Sequence, residues 1–202
     1  MGKLFVVVGS TGVGKTTLTR LLCRETGCSA GLEDHAQRPF QVLFKTDVRY
    51  ALPNQLDFLL HRMEQEALIR CAPTHGILDG GLEMDFHGFT RLFHVRGWLS
   101  DSDFEICRHL YTVARNLLPP PEGIIHLTAS QHEIEQRLAY RQRINIASVE
   151  DVQVLDAGIL EWLAGVDPRS VITVDGTGAD PAYSQVIPGL VAFIKERLNC
   201  LN

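Results

Sequence analysis

VVVGSTGVGKTTLTRLL, Val6 to Leu22, is the stretch on which the fold turns. An apolar run ends in glycines, and Lys15-Thr16 opens a segment in which Leu18, Leu21 and Leu22 share one helical face. Gly9 to Thr16 therefore fits G-x-x-x-x-G-K-[ST] in the context the motif needs, after a strand and at a helix start. The chemistry explains the residue types. Glycines let the backbone wrap a phosphate closely, its N–H groups and the helix N-terminus face the phosphate oxygens, and Lys15 adds a mobile positive charge. Gly9, Ser10, Thr11, Gly12, Val13, Gly14, Lys15, Thr16 and Thr17 are the expected nucleotide-binding residues, with the Thr16 hydroxyl placed for Mg²⁺.

Beyond this loop, apolar runs alternate with helical patterns, which is the signature of βα units and a mostly parallel sheet. Strands are expected at Leu4–Val8, Ile77–Asp79, Ile124–Thr128 and Val171–Val174, with a weaker one near Cys28–Glu33. Helices are expected over Lys15–Arg24, from Pro53 through NQLDFLLHRMEQEALIR, and over Asp101–Leu118, Gln131–Arg143, Asp151–Leu163 and Ser184–Leu198. In the second of these, Leu56, Leu59, Leu60, Met63, Ala67 and Leu68 form an apolar stripe expected to pack on the sheet. The fold class expected is α/β, a three-layer P-loop NTPase fold with a five-stranded sheet flanked by helices and an Arg-rich lid at about residues 137–150. A chain of 202 residues is read as one domain, 1–202.

Composition narrows the partners. A net charge of −5 gives no bulk electrostatic case for a nucleic-acid polymer or an anionic membrane. The five-residue apolar run before the glycines is too short for a signal-peptide core or a membrane span. Cys23, Cys28, Cys71, Cys107 and Cys200 are scattered, odd in number and without a C-x-x-C pair, so reduced thiols and a cytoplasmic location are expected. His87 and His94 stand in no metal-ligand spacing, and Trp98 and Trp162 read as packing residues.

Two further features bear on phosphate chemistry. HGILDGG offers Asp79 at a strand end, either as a second group for Mg²⁺ or as the cap of a turn at Gly80-Gly81. EQRLAYRQRIN places Arg137 and Arg141 four apart on one helical face, with Arg143 close by. They are either a lid that closes over the transferring phosphoryl group or a solvated basic helix end.

With these pieces placed, the chain resembles the deoxynucleoside kinase family, the P-loop phosphotransferases that include the bacterial deoxyadenosine/deoxyguanosine kinases. The stretch carrying most of the likeness is LEDHAQRPFQVLFKTDVRYALPNQLDFLLHRM. The resemblance implies ATP- and Mg²⁺-dependent phosphorylation of a deoxynucleoside 5′-hydroxyl in nucleotide salvage, with purines slightly favoured. It implies Glu33 as general base, where the bare sequence offers only an acidic pair, Glu33-Asp34. It implies Gln55, Arg62 and Asp85 as readers of the base, Phe44 near the sugar, and Phe58 as an apolar wall where periodicity alone would also allow core. Arg137, Arg141 and Arg143 match its phosphate-handling arginines, and its assemblies imply a homodimer or a heterodimer with a related subunit.

This sequence departs from the family pattern at three acceptor-side points. Asp79-Gly80-Gly81 lacks the usual Arg after the acidic residue, Phe44 stands where many members carry Tyr, and Asn145-Ile146 replaces an acidic pair. Removing one hydrogen-bonding partner from a closed site costs about 1–3 kcal/mol. Two alternatives therefore stand beside the kinase: a catalytically weak nucleotide-binding subunit or sensor, and a kinase for another small hydroxyl acceptor.

Overall fold

A computed structural model of the chain describes residues 2–32, 38–139 and 149–199, with the backbone alone at Val149. Glu33, Arg141, Arg143, Asn145, Ile146 and Cys200 lie outside the described residues, as does most of the expected lid.

The expected α/β architecture is present. Five parallel strands, β1 (Leu4–Val8), β2 (Ser29–Gly31), β3 (Gly76–Asp79), β4 (Gly123–Thr128) and β5 (Val171–Asp175), lie in the order β2-β3-β1-β4-β5. The helices are α1 (Lys15–Thr26), α2 (Pro39–Thr46), α3 (Ala51–Cys71), α4 (Arg91–Val95), α5 (Asp101–Leu117), α6 (Gln131–Ala139), α7 (Val152–Leu163) and α8 (Ile187–Asn199). A seven-residue π-helical turn, Met84–Thr90, leads into α4.

Strand alternation divides the core between the two faces of the sheet. Phe5 and Val7 of β1 join Ile77, Ile125 and Val174 against Leu18 and Leu22 of α1 and Leu190 and Phe193 of α8. Leu4, Val6 and Val8 join Leu78 and Ile124 against Ile69 of α3 and Ile159 of α7. Both faces are covered, so the strands read as continuous apolar runs.

β1 runs between β3 and β4, with Val7 opposite Asp79 and Val8 opposite His126. The loops leaving β1 and β3 therefore emerge side by side at the carboxyl ends of adjacent strands, where open α/β sheets bind their ligands.

The apolar stripe of α3 corrects an expectation. Leu56, Leu59 and Met63 pack with Cys107 and Ala114 of α5 rather than on the sheet, and Leu60 and Leu68 are exposed. Helix α3 buries Asn54, Gln55, Arg62, Glu66 and Arg70 along with its apolar residues. A helix wedged between a partner helix and a polar cleft is covered on more than one face, so its stripe marks only the partner. Pro53 falls in the first turn, where its missing N–H is tolerated.

Candidate active site

The phosphate loop is built by backbone conformation. Gly9 (φ 147°), Gly12 (φ 80°) and Gly14 (φ 111°) all lie where a side chain would be strained. A Cβ on Gly14 would also run into the Tyr183 hydroxyl. Helix α1 starts at Lys15 with no side-chain cap and no acidic residue in its first turn. Its leading N–H groups are therefore turned toward the loop, which favours an anion there.

Lys15 Nζ donates to the Gly9 and Ser10 carbonyls at 2.8 and 2.9 Å, which lays the ammonium across the loop. The Thr16 hydroxyl donates to Asp79 Oδ2, joining α1 to the end of β3. Asp79 is buried. A hydroxyl and a carboxylate sharing one position form an oxygen donor pair suited to Mg²⁺, which takes few protein ligands and keeps water and phosphate for the rest.

Arg137 on α6 donates to the Val13 carbonyl at 2.7 Å and pairs with Glu133 at 3.3 Å. Of the three expected arginines, it is the one the described residues include, and it sits on the loop. Two groups that no motif or spacing marks also join this half. Asp156 of α7 is hydrogen-bonded by Ser10; burial pushes its carboxyl up, while Ser10, His126 and Lys15 favour its charged form. Tyr183 is buried, carries φ 51° and touches the loop at Gly14. A non-glycine residue held at positive φ is strained, and here it braces a ligand loop.

The second half gathers on α3 and the π-helical turn. Arg62 Nε donates to Asp85 Oδ2 at 2.7 Å, with both side chains almost fully buried, and Arg62 Nη1 donates to Gln65 Oε1 at 2.9 Å. Gln65 in turn donates to the Leu32 carbonyl at 3.0 Å. Thr90 Oγ1 lies 2.9 Å from Gln55 Oε1 and 2.9 Å from the Asp85 carbonyl. Gln55, Arg62 and Asp85 are thus one connected network, closed by Thr90 and Gln65. The wide π-helical turn contributes to it both Asp85 and Thr90, and such turns recur at functional sites.

Phe58 lies on α3 between Gln55 and Arg62 and is buried. The ring of Phe44 is stacked on Phe93 at 4.6 Å and edge-on to Trp98 at 5.4 Å. An aromatic cluster therefore holds it.

Buried charge lies behind this network. Arg115 of α5 pairs with Glu66 of α3 and with Glu83, the latter at 3.2 Å. Arg70 donates to Glu122 at 3.0 Å and to the carbonyls of Pro119 and Pro120. Burial pushes the Glu83 carboxyl up to about 7 against the pull of Arg115, and Glu66 is raised for the same reason.

Comparison with known proteins agrees with this layout. The family profile described as deoxynucleoside kinase matches residues 5–187. The deoxyadenosine/deoxycytidine kinase of Bacillus subtilis (strain 168) is 27% identical over 143 residues, 69% of this chain and 66% of that protein. The chain thus spans just under two thirds of that relative's length. The deoxyguanosine kinase of the same strain is 26% identical over 182 residues, 86% of each chain. Among solved structures, a deoxyadenosine kinase from M. mycoides with products dCMP and a flexible dCDP bound superposes with TM-score 0.77 at 18% identity, covering 98% of this chain and 100% of that one. The same kinase with bound dCTP gives 0.76 at 17%, covering 94% and 99%. These two likenesses are of fold. The family match spans both halves of the cleft, from the glycine loop after β1 to the α3 network and α6, and on it the chain belongs to the deoxynucleoside kinase family of phosphotransferases.

Proposed function

We propose that this protein transfers the γ-phosphoryl group of ATP to the 5′-hydroxyl of a deoxynucleoside, with a modest preference for purines. The observation that carries the reading is the junction at the end of β3. Asp79 is tied to Thr16 on the phosphate side, and its neighbour Gly80 abuts Arg62 on the network side. One strand end thereby joins a phosphate cradle to a buried group of base-reading residues.

In this reading Lys15 and Arg137, joined by Arg141 and Arg143, balance the charge spread over the phosphoryl oxygens. Thr16 and Asp79 hold Mg²⁺, which neutralises phosphate charge when bound. Gln55, Arg62 and Asp85 orient the base, Phe58 supplies an apolar wall beside it, Phe44 lies near the sugar, and Glu33 accepts the hydroxyl proton. A carboxylate in hydrogen-bond reach of that hydroxyl contributes about 10²–10⁴-fold.

Location and assembly follow the same reading. Among the described residues no helix is long and apolar enough to cross a membrane, and Cys23, Cys28, Cys71 and Cys107 are free thiols, which supports a cytoplasmic setting. Leu60 and Leu68 of α3 and Ile106, Val113 and Leu117 of α5 are exposed on two helices packed side by side. That surface supports a homodimer, or pairing with a related subunit.

The test is phosphoryl transfer by the purified chain with ATP and Mg²⁺ across the deoxynucleosides. Turnover of at least one, abolished in Lys15→Ala, is the expected result; the absence of turnover above that variant overturns the reading. The aromatic seat of Phe44 and the glycine at residue 80 favour one second reading, a weak nucleotide-binding subunit. It predicts nucleotide binding without turnover and activity restored by a partner chain.

A further inference from the structure

Asn54 is fully buried, and among the described residues neither Nδ2 nor Oδ1 has a hydrogen-bond partner. A buried carboxamide is almost always satisfied, because its two donors and one acceptor lose water on burial and recover nothing unless partnered. Asparagine is also a poor helix former, and Asn54 stands inside α3, where an apolar residue would pack at lower cost. No described residue answers this amide, so its partner is to be sought in a ligand.

Its place on the helix says which ligand. Asn54 precedes Gln55 and lies one and two turns before Phe58 and Arg62, on the face that carries the base-reading network. Gln55 leans toward the π-helical turn, where it meets Thr90. Asn54 lies to the other side: Asp57, one turn on, accepts from Arg38 Nη1 at 3.0 Å beside α2. Two carboxamides on adjacent residues thus stand at the two edges of the helical face that carries Phe58 and Arg62. A pyrimidine has one polar side and an apolar C5–C6 edge, whereas a purine carries hydrogen-bonding atoms on both its Watson–Crick edge and its N7 edge.

We propose that Asn54 is a specificity-determining residue that hydrogen-bonds the second polar edge of a purine acceptor. This rests on the nucleoside kinase reading above, and it assigns the purine preference to one side chain.

The experiment compares wild type with Asn54→Leu and Asn54→Ser, measuring KM for purine and pyrimidine deoxynucleosides and for ATP, with the melting temperature of each ligand-free protein. In Asn54→Leu the purine KM rises about tenfold or more relative to the pyrimidine KM, and the KM for ATP does not follow, since one lost polar contact is worth that factor or more. The ligand-free melting temperature holds or rises, because an unpartnered amide has been removed. Asn54→Ser, which keeps a polar group, gives an intermediate purine loss and serves alone where the leucine variant does not fold. Equal effects on purine and pyrimidine, or none, together with a lower melting temperature, identify a structural amide held by water and overturn the proposal. A wild-type chain that neither binds nor phosphorylates any nucleoside overturns the kinase reading itself, a result distinguishable from failure at Asn54 alone.

Discussion

The guanidinium of Arg62 lies against Gly80: a Cβ built on Gly80 would come within 3.1 Å of Arg62 Nη2. The family resemblance leads one to expect an arginine at residue 80, and here that neighbourhood is filled by an arginine from α3. Gly80 also carries φ 94°, so any side chain there is strained as well as crowded. Gly80→Ala is expected to cost about 1–3 kcal/mol, which in a chain of this size lowers the melting temperature by several degrees. Calorimetry reads the loss, and a raised nucleoside KM with an unchanged ATP KM shows that Arg62 has been displaced. A variant as stable as wild type with normal nucleoside binding would remove the contact from the account.

The Thr16–Asp79 bond makes a prediction on the phosphate side. Asp79→Asn keeps the shape and a weak acceptor but removes the charge, so the Mg²⁺ concentration for half-maximal activity should rise. A factor of about ten corresponds to 1.4 kcal/mol of lost metal binding. A titration of rate against Mg²⁺ at saturating ATP measures it; an unshifted curve would place Asp79 in the turn only.

Glu83 predicts a pH effect on stability. Its folded pKa, about 7, lies above the ordinary value of 4.5, because burial outweighs the attraction of Arg115 while Glu66 adds repulsion. A raised carboxyl stabilises the fold below pH 4.5, and that contribution is lost as pH rises through about 7. Glu83→Gln should therefore melt above wild type at pH 8, with the difference closing toward pH 4.5. Parallel melting curves across that range would show that Arg115 compensates fully.

His87 has the opposite sign. Its ring is stacked on Trp162, its Nε2 lies 3.1 Å from the Tyr111 hydroxyl, and burial with Arg91 nearby lowers its pKa to about 4. The stability this gives is present above pH 6.5 and is lost as pH falls through 4, on the order of 1–3 kcal/mol. His87→Gln should melt lower at neutral pH and show a shallower decline between pH 6.5 and 4. An equally steep decline would assign the acid limb to other groups.

The phosphate loop was legible because three glycines at fixed offsets answer to three positive φ angles, a demand few other residues meet. Gln55 and Arg62 are singled out by the family resemblance, to which the sequence itself adds only their seven-residue spacing on one helical face, whereas β1, β3, β4 and β5 are legible as continuous apolar runs. Helix α2 is not legible because its pattern is inverted: Val42 and Leu43 face solvent and Gln41 is buried. The π-helical turn is not legible because its wider period matches neither the helical nor the strand template. Glu66, Arg70, Glu83 and Arg115 are not legible because such charges normally mark a solvated face, and here Arg115 pairs with Glu66 and Glu83 while Arg70 pairs with Glu122, largely out of solvent. Asp156 and Tyr183 come from elements far along the chain that only folding brings to residues 10 and 14.

Asp79 and Gly80 are adjacent in the chain yet serve opposite sides of the cleft, one through Thr16 and the other through Arg62. Residues confined to one side have no direct contact through which to feel a change on the other, so paired substitutions across the cleft should combine additively. Pairs that include residue 79 or 80 should not. Asp79 at the end of β3 and Gly80 just after it are therefore where a change made on the donor side is expected to be felt on the acceptor side, a relay two residues long.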